Sequence, residues 1–154
     1  MTRYFFALFV IMSCISCNKK TDKDIEAEYI ASFIQKITFP KEVTSIVLLP
    51  GLGCHGCIQE GEAFLKENVD HKSLFFILTN IESLKLLQHK TGIALHQHSS
   101  IYIDKDNEFI LPTNHNIYPC IIQVKNGSYT DHEFQNPQNS QAFAKLETRL
   151  SPDE

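Results

Sequence analysis

Two apolar runs constrain the fold of this chain more than any other feature. Residues 44–49 (TSIVLL) and 73–78 (SLFFIL) are β-branched, aromatic or aliphatic, with no alternation of polar positions. A strand with one wet face alternates; an unbroken run of this length is what a strand buried on both faces requires, and such strands lie in sheets covered by helices. The stretches around them carry the helical period. In 24–37, Ile25, Tyr29, Phe33, Ile34 and Ile37 form a stripe, with Asp24 expected as its cap. In 58–68 the apolar positions include Ala63, Phe64 and Leu65; in 81–90 they are Leu84, Leu86 and Leu87, with Gly92 just past the end. Residues 101–103 read as a third strand, followed by the turn Asp104-Lys105-Asp106-Asn107 toward Phe109 and Ile110. Asn126-Gly127 between 121–124 and 129–134 is a strong hairpin signal, and 138–150 closes with Phe143, Leu146 and Leu150 on one helical face. Strands alternating with helices predict an α/β fold: a central mixed sheet flanked by helices, ending in a β-hairpin plus helix.

The 154 residues suit one such domain preceded by a targeting segment. After Arg3, residues 4–15 are almost unbroken apolar sequence, too short to span a bilayer (about 20 residues are needed) but suited to a signal-peptide core. The core ends in Ser13-Cys14-Ile15-Ser16-Cys17 before polar Asn18-Lys19-Lys20. A small residue before a cysteine at this place resembles the lipobox of bacterial lipoproteins. That resemblance implies lipidation of Cys17, with Cys14 as the competitor; Ile15 stands where the pattern more usually has a small residue. The expected organisation is a signal peptide over 1–17, a polar tether over 18–23, a domain over 24–150 and a tail over 151–154. The domain would then lie outside the cytoplasm, tethered to the bacterial cell envelope through a lipid anchor; a plain signal peptide or an uncleaved anchor is the alternative, with the same placement of the domain. A net charge of −4 with scattered Lys and Arg offers no basic face and excludes nucleic acid as a partner.

Setting Cys14 and Cys17 aside, three cysteines remain: Cys54, Cys57 and Cys120. One close pair and a single are not the even, spread set of a structural disulfide framework. The C-x-x-C spacing also serves zinc, but a structural zinc site needs a second pair, which is missing. The motif follows a buried strand and the break Pro50-Gly51-Leu52-Gly53, and it opens a helix. Unpaired N–H groups and the dipole at a helix N-terminus stabilise an anion, so Cys54 is expected to ionise readily and Cys57, one turn on, to face the same side.

Strand, Cys54-His55-Gly56-Cys57, helix, then Tyr118-Pro119 leading into a strand, the Lys125-Asn126-Gly127 turn and a further strand resemble the thioredoxin superfamily over residues 25–150. The resemblance implies a three-layer fold with Cys54 as attacking thiol, Cys57 as resolving thiol and Pro119 as a cis-proline opposite them. It implies exchange of disulfides with extracytoplasmic proteins and a separate redox partner, with no cofactor. The closest style is that of small bacterial thioredoxin-like lipoproteins. Departures are plain. There is no Trp, and Gly53 precedes the first cysteine; 46–49 carry no buried acid, so deprotonation of Cys57 needs another base, with Glu60 nearest in sequence. Gly51 stands where the peroxidase branch has Thr, which argues against peroxide reduction.

Several residues leave two readings open. His55 either sits beside the Cys54 thiolate and makes the disulfide more oxidising, or faces solvent. Cys120 is either a buried inert thiol or a third exchanging thiol. His96, His98 and His115 are surface residues or, with the dithiol, ligands for a soft metal such as Cu(I). The function expected from these residues is thiol–disulfide exchange, set against a copper carrier and a redox-inactive scaffold.

Overall fold

A computed structural model describes residues 19–150. The apolar leader, Cys14, Cys17 and the tail at 151–154 fall outside the described residues, and with them the signal-peptide and lipidation expectations. Among the described residues no helix is long and apolar enough to cross a membrane.

The elements run α1 (Asp22–Ile34), β1 (Ser45–Pro50), α2 (His55–Asn68), β2 (Leu74–Thr79), α3 (Leu84–Thr91), β3 (Ile101–Asp104), β4 (Cys120–Lys125), β5 (Ser128–Phe134) and α4 (Ala142–Leu150). Among the described residues the fold is a mixed α/β sheet of five strands with four α-helices. Strand order is β3-β2-β1-β4-β5; β1, β2 and β3 are parallel, while β4 runs against both β1 and β5. Every residue of β1 and β2 is buried, as their unbroken apolar runs predict.

The alternation of side chains along each strand splits the core in two. Ile46, Leu48, Phe75, Ile77, Cys120 and Ile122 pack against Ile30, Phe33 and Ile34 of α1. Val47, Leu49, Phe76, Leu78 and Ile121 pack against Phe64 and Leu65 of α2, Leu87 of α3, and Phe143 and Leu146 of α4. The layers are therefore α1, the sheet, and the other three helices. The hairpin turns at Asn126 and Gly127 with φ of 53° and 75°, the left-handed pair that a two-residue turn matching strand twist demands.

Helix boundaries depart from expectation where a side chain caps earlier or later than periodicity suggests. Thr21, not Asp24, caps α1: its hydroxyl accepts the Asp24 N–H, while Asp24 accepts from the Thr21 N–H at 2.9 Å, a reciprocal capping box. Asp22 and Lys23, expected in the tether, thus belong to α1, and Ile25 is exposed. Ser83 accepts from Leu86 N–H and starts α3 at Leu84. A turn built on Asn136, whose Oδ1 accepts from Gln138 and Asn139 N–H, delays α4 to Ala142.

Candidate active site

The dithiol stands beyond the C-terminal end of β1, the side of a parallel sheet where α/β proteins place their chemistry. Pro50 ends the strand, and Gly53, at φ 143°, swings the chain into α2. A Cβ on Gly53 would stand 2.6 Å from Ile117 Cα, so the residue is glycine for space as well as for conformation. Cys54 is the N-cap of α2, and its carbonyl accepts the Ile58 N–H at 2.9 Å. Cys54 and Cys57 form a disulfide, with Cα atoms 5.4 Å apart. Cys54 is half-buried and Cys57 is 7% exposed, so Cys54 is the more accessible residue of the pair.

The segment before β4 is pressed onto this turn. Residues Asn114–Ile117 form a short 3-10 turn, and the Cys54 N–H donates to the Ile117 carbonyl at 3.0 Å. Pro119 lies one step further, close enough to α2 that a Cβ on Gly61 would meet its Cγ at 3.3 Å. The expected cis bond at Pro119 is not found: among the described residues every peptide is trans. Trans is the lower-energy isomer of an X–Pro bond by about 0.5–1 kcal/mol, and here it still brings Pro119 against α2.

Two large apolar side chains near the dithiol are exposed: Leu52, two residues before Cys54, at 43%, and Ile117, whose carbonyl accepts the Cys54 N–H, at 38%. A groove of about 160 Å³ lies between α2 and α3, lined by Gly51, Ile58, Ile81 and Leu86 and by the Lys90–Glu62 ion pair at 3.0 Å.

His55 lies between the two cysteines, exposed on the first turn of α2. Glu60 accepts from Gln135 Nε2 at 2.7 Å and so helps fasten the turn between β5 and α4. Cys120 is fully buried in the α1-side core, on the opposite face of the sheet from α2. Burial above all, then the carboxylates of Glu26 and Glu133, pushes its thiol well above the usual cysteine range. His98 lies before β3, 3.7 Å from Asp70 at the end of α2, and His96 beside it; both are at the opposite end of the parallel strands from the dithiol. No group of three metal-ligand residues stands at ion-holding spacing among the described residues.

A buried polar cluster was not anticipated. Glu26 of α1 meets His115 Nδ1 at 2.7 Å through one oxygen, which also accepts from Thr113 Oγ1, and His132 Nε2 at 3.0 Å through the other. Tyr129 Oη joins His132 Nδ1 at 2.8 Å. Its sequence signal is Glu26 itself, one turn before Ile30 in the apolar stripe of α1, a place where a charge has to be partnered. Comparison with protein-family models, characterised proteins and solved structures finds no match.

Proposed function

We propose that this chain is a thioredoxin-like thiol–disulfide oxidoreductase held at the bacterial envelope by its N-terminus. The observation that carries the reading is the unequal pair: a half-exposed Cys54 at the start of α2, bonded to a buried Cys57 three residues on. The amides of the first helical turn and the dipole lower the cost of a thiolate at Cys54, and only the thiolate attacks.

In the reducing direction the Cys54 thiolate attacks one sulfur of a substrate disulfide. A Cys54–substrate bond forms, the substrate S–S bond breaks, and the second substrate sulfur leaves as a thiolate that takes a proton. Cys57 loses its proton and attacks Cys54 Sγ; the Cys54–Cys57 bond forms and the first substrate sulfur leaves. The substrate gains two electrons and the protein loses two, which an external dithiol partner restores. The same steps in reverse oxidise a substrate dithiol. Burial of Cys57 delays its attack until the substrate is attached, and the exposed apolar side chains of Leu52 and Ile117 suit contact with a protein segment.

Trapping tests this. Cys57→Ser in the full chain is expected to accumulate mixed disulfides between Cys54 and envelope proteins, released by reductant and lost when Cys54 is also Ser. No adduct from Cys57→Ser, with Cys54 reacting like an ordinary free thiol, refutes the reading.

A further inference from the structure

The exchange steps make no use of the Glu26 cluster, yet it is joined to the dithiol through a single short segment. Glu26 is 2% exposed, and its carboxylate is the common partner of Thr113, His115 and His132, so the loop that carries the first two is held through this one buried side chain. Two of its partners, Thr113 and His115, open the loop that ends at Tyr118. Within the loop, Thr113 Oγ1 accepts from His115 N–H, Asn116 N–H donates to the Thr113 carbonyl, and Tyr118 N–H donates to the His115 carbonyl at 3.0 Å. Ile117, between them, presents its carbonyl to the Cys54 N–H.

We propose that Glu26 is a positioning residue for the dithiol: through Thr113 and His115 it holds the 113–118 loop so that the Ile117 carbonyl occupies the Cys54 amide. The proposal rests on the exchange reading above. Its chemical content is a bias against the thiolate. An amide held by a carbonyl is not free to turn toward a charged sulfur, and the negative end of that carbonyl lies beside the residue on which charge develops. Loosening the loop therefore favours ionised Cys54, and with it the dithiol over the disulfide.

The test equilibrates the full chain with glutathione: protein disulfide plus two glutathione thiols give protein dithiol plus one glutathione disulfide, with two electrons passing to the protein and the thiol protons following. Acid quenching, alkylation and mass spectrometry give the equilibrium constant. Glu26→Ala and His115→Ala are expected to move it toward the dithiol by about tenfold, or about 30 mV for a two-electron couple. Glu26→Gln, which keeps an oxygen for Thr113, is expected to move it less than half as far on a logarithmic scale. Phe33→Leu, a core change on the same helix, is expected to lower stability and leave the constant alone. If Glu26→Ala does not fold, half-exposed His115→Ala and Thr113→Val carry the same expectation. Folded loop-side variants with the wild-type constant overturn the proposal, as does an equal shift in Phe33→Leu. Wild-type protein that exchanges with glutathione while the variants match it refutes only the positioning role; wild-type protein that does not exchange refutes the dithiol reading, and the positioning role with it.

Discussion

The backbone N–H of Cys54 donates to the carbonyl of Ile117 at 3.0 Å, tying the first sulfur-bearing residue to a segment more than sixty positions later in the chain. That one bond makes the geometry of the dithiol depend on how the loop before β4 is held, and it frames what the molecule is expected to do under perturbation.

The three cysteines of the described domain differ in access, so their reactivity should differ in the same order. In the reduced protein, iodoacetamide at neutral pH is expected to label Cys54 at least about tenfold faster than Cys57, because thiolate character and exposure coincide at the helix start. Peptide mass spectrometry over a time course measures both rates. Equal rates would remove the asymmetry on which the exchange steps depend.

Cys120 should stay unlabelled until denaturant is added, since its sulfur is fully buried and its ionisation is suppressed by burial and by nearby Glu26 and Glu133. Cys120→Ala removes one buried sulfur and is expected to cost about 1 kcal/mol in urea unfolding, with glutathione exchange unchanged. Loss of exchange in this variant would point instead to a third participating thiol.

Gly53 is held at φ 143° against Ile117, so Gly53→Ala meets both backbone strain and a collision. A loss of about 2–4 kcal/mol is expected, at the upper end for a single strained residue because the neighbour is backbone and cannot rotate away. The urea midpoint measures it. A wild-type midpoint would show that the β1–α2 turn is not pressed on the loop.

Glu26 sets an acid limit. Burial pushes its carboxyl up, but hydrogen bonds from Thr113, His132 and His115 outweigh burial and hold it below the ordinary glutamate value of 4.5. A carboxyl lowered on folding contributes stability that is fully present above its unfolded value and is lost as pH falls through the folded one. Wild-type stability should therefore fall from about pH 4.5 downward more steeply than that of Glu26→Gln, with the two converging in acid. At pH 7 the substitution is expected to cost about 1–3 kcal/mol, the penalty for disturbing a buried charged partner. Urea midpoints from pH 7 to 3 give both curves, and parallel profiles would contradict the assignment.

Tyr129, hydrogen-bonded to His132, has its phenol pushed up to about 12, by burial first and then by Asp131, Cys120 and Glu26. Absorbance at 295 nm should show one phenol ionising near that pH and missing in Tyr129→Phe. The stabilisation is complete below the unfolded value of about 10 and disappears as pH rises toward 12. An unchanged titration curve in Tyr129→Phe would show that this phenol ionises elsewhere.

The sequence on its own determined what depends on neighbours along the chain. Unbroken apolar runs specified β1 and β2, Asn126-Gly127 specified the hairpin, and a cysteine pair after a strand and a glycine break specified a dithiol at a helix start; each is a local pattern with a local physical cause. Even there, Thr21 and Asn136 moved helix ends, because a single side chain–backbone bond decides where a helix begins and leaves periodicity untouched. Only the tertiary structure decided which distant residues meet. Glu26, Thr113, His115 and His132 come from α1, a loop and β5, and nothing in their spacing pairs them; the charge in the apolar stripe signalled that partners were needed without naming them. The same applies to Ile117 at Cys54, to Glu60 bound by Gln135, and to Cys120 facing away from α2. Strand order and sheet face govern these contacts, and both follow from how the layers bury their apolar sides against one another, a property of the whole chain that no short segment contains.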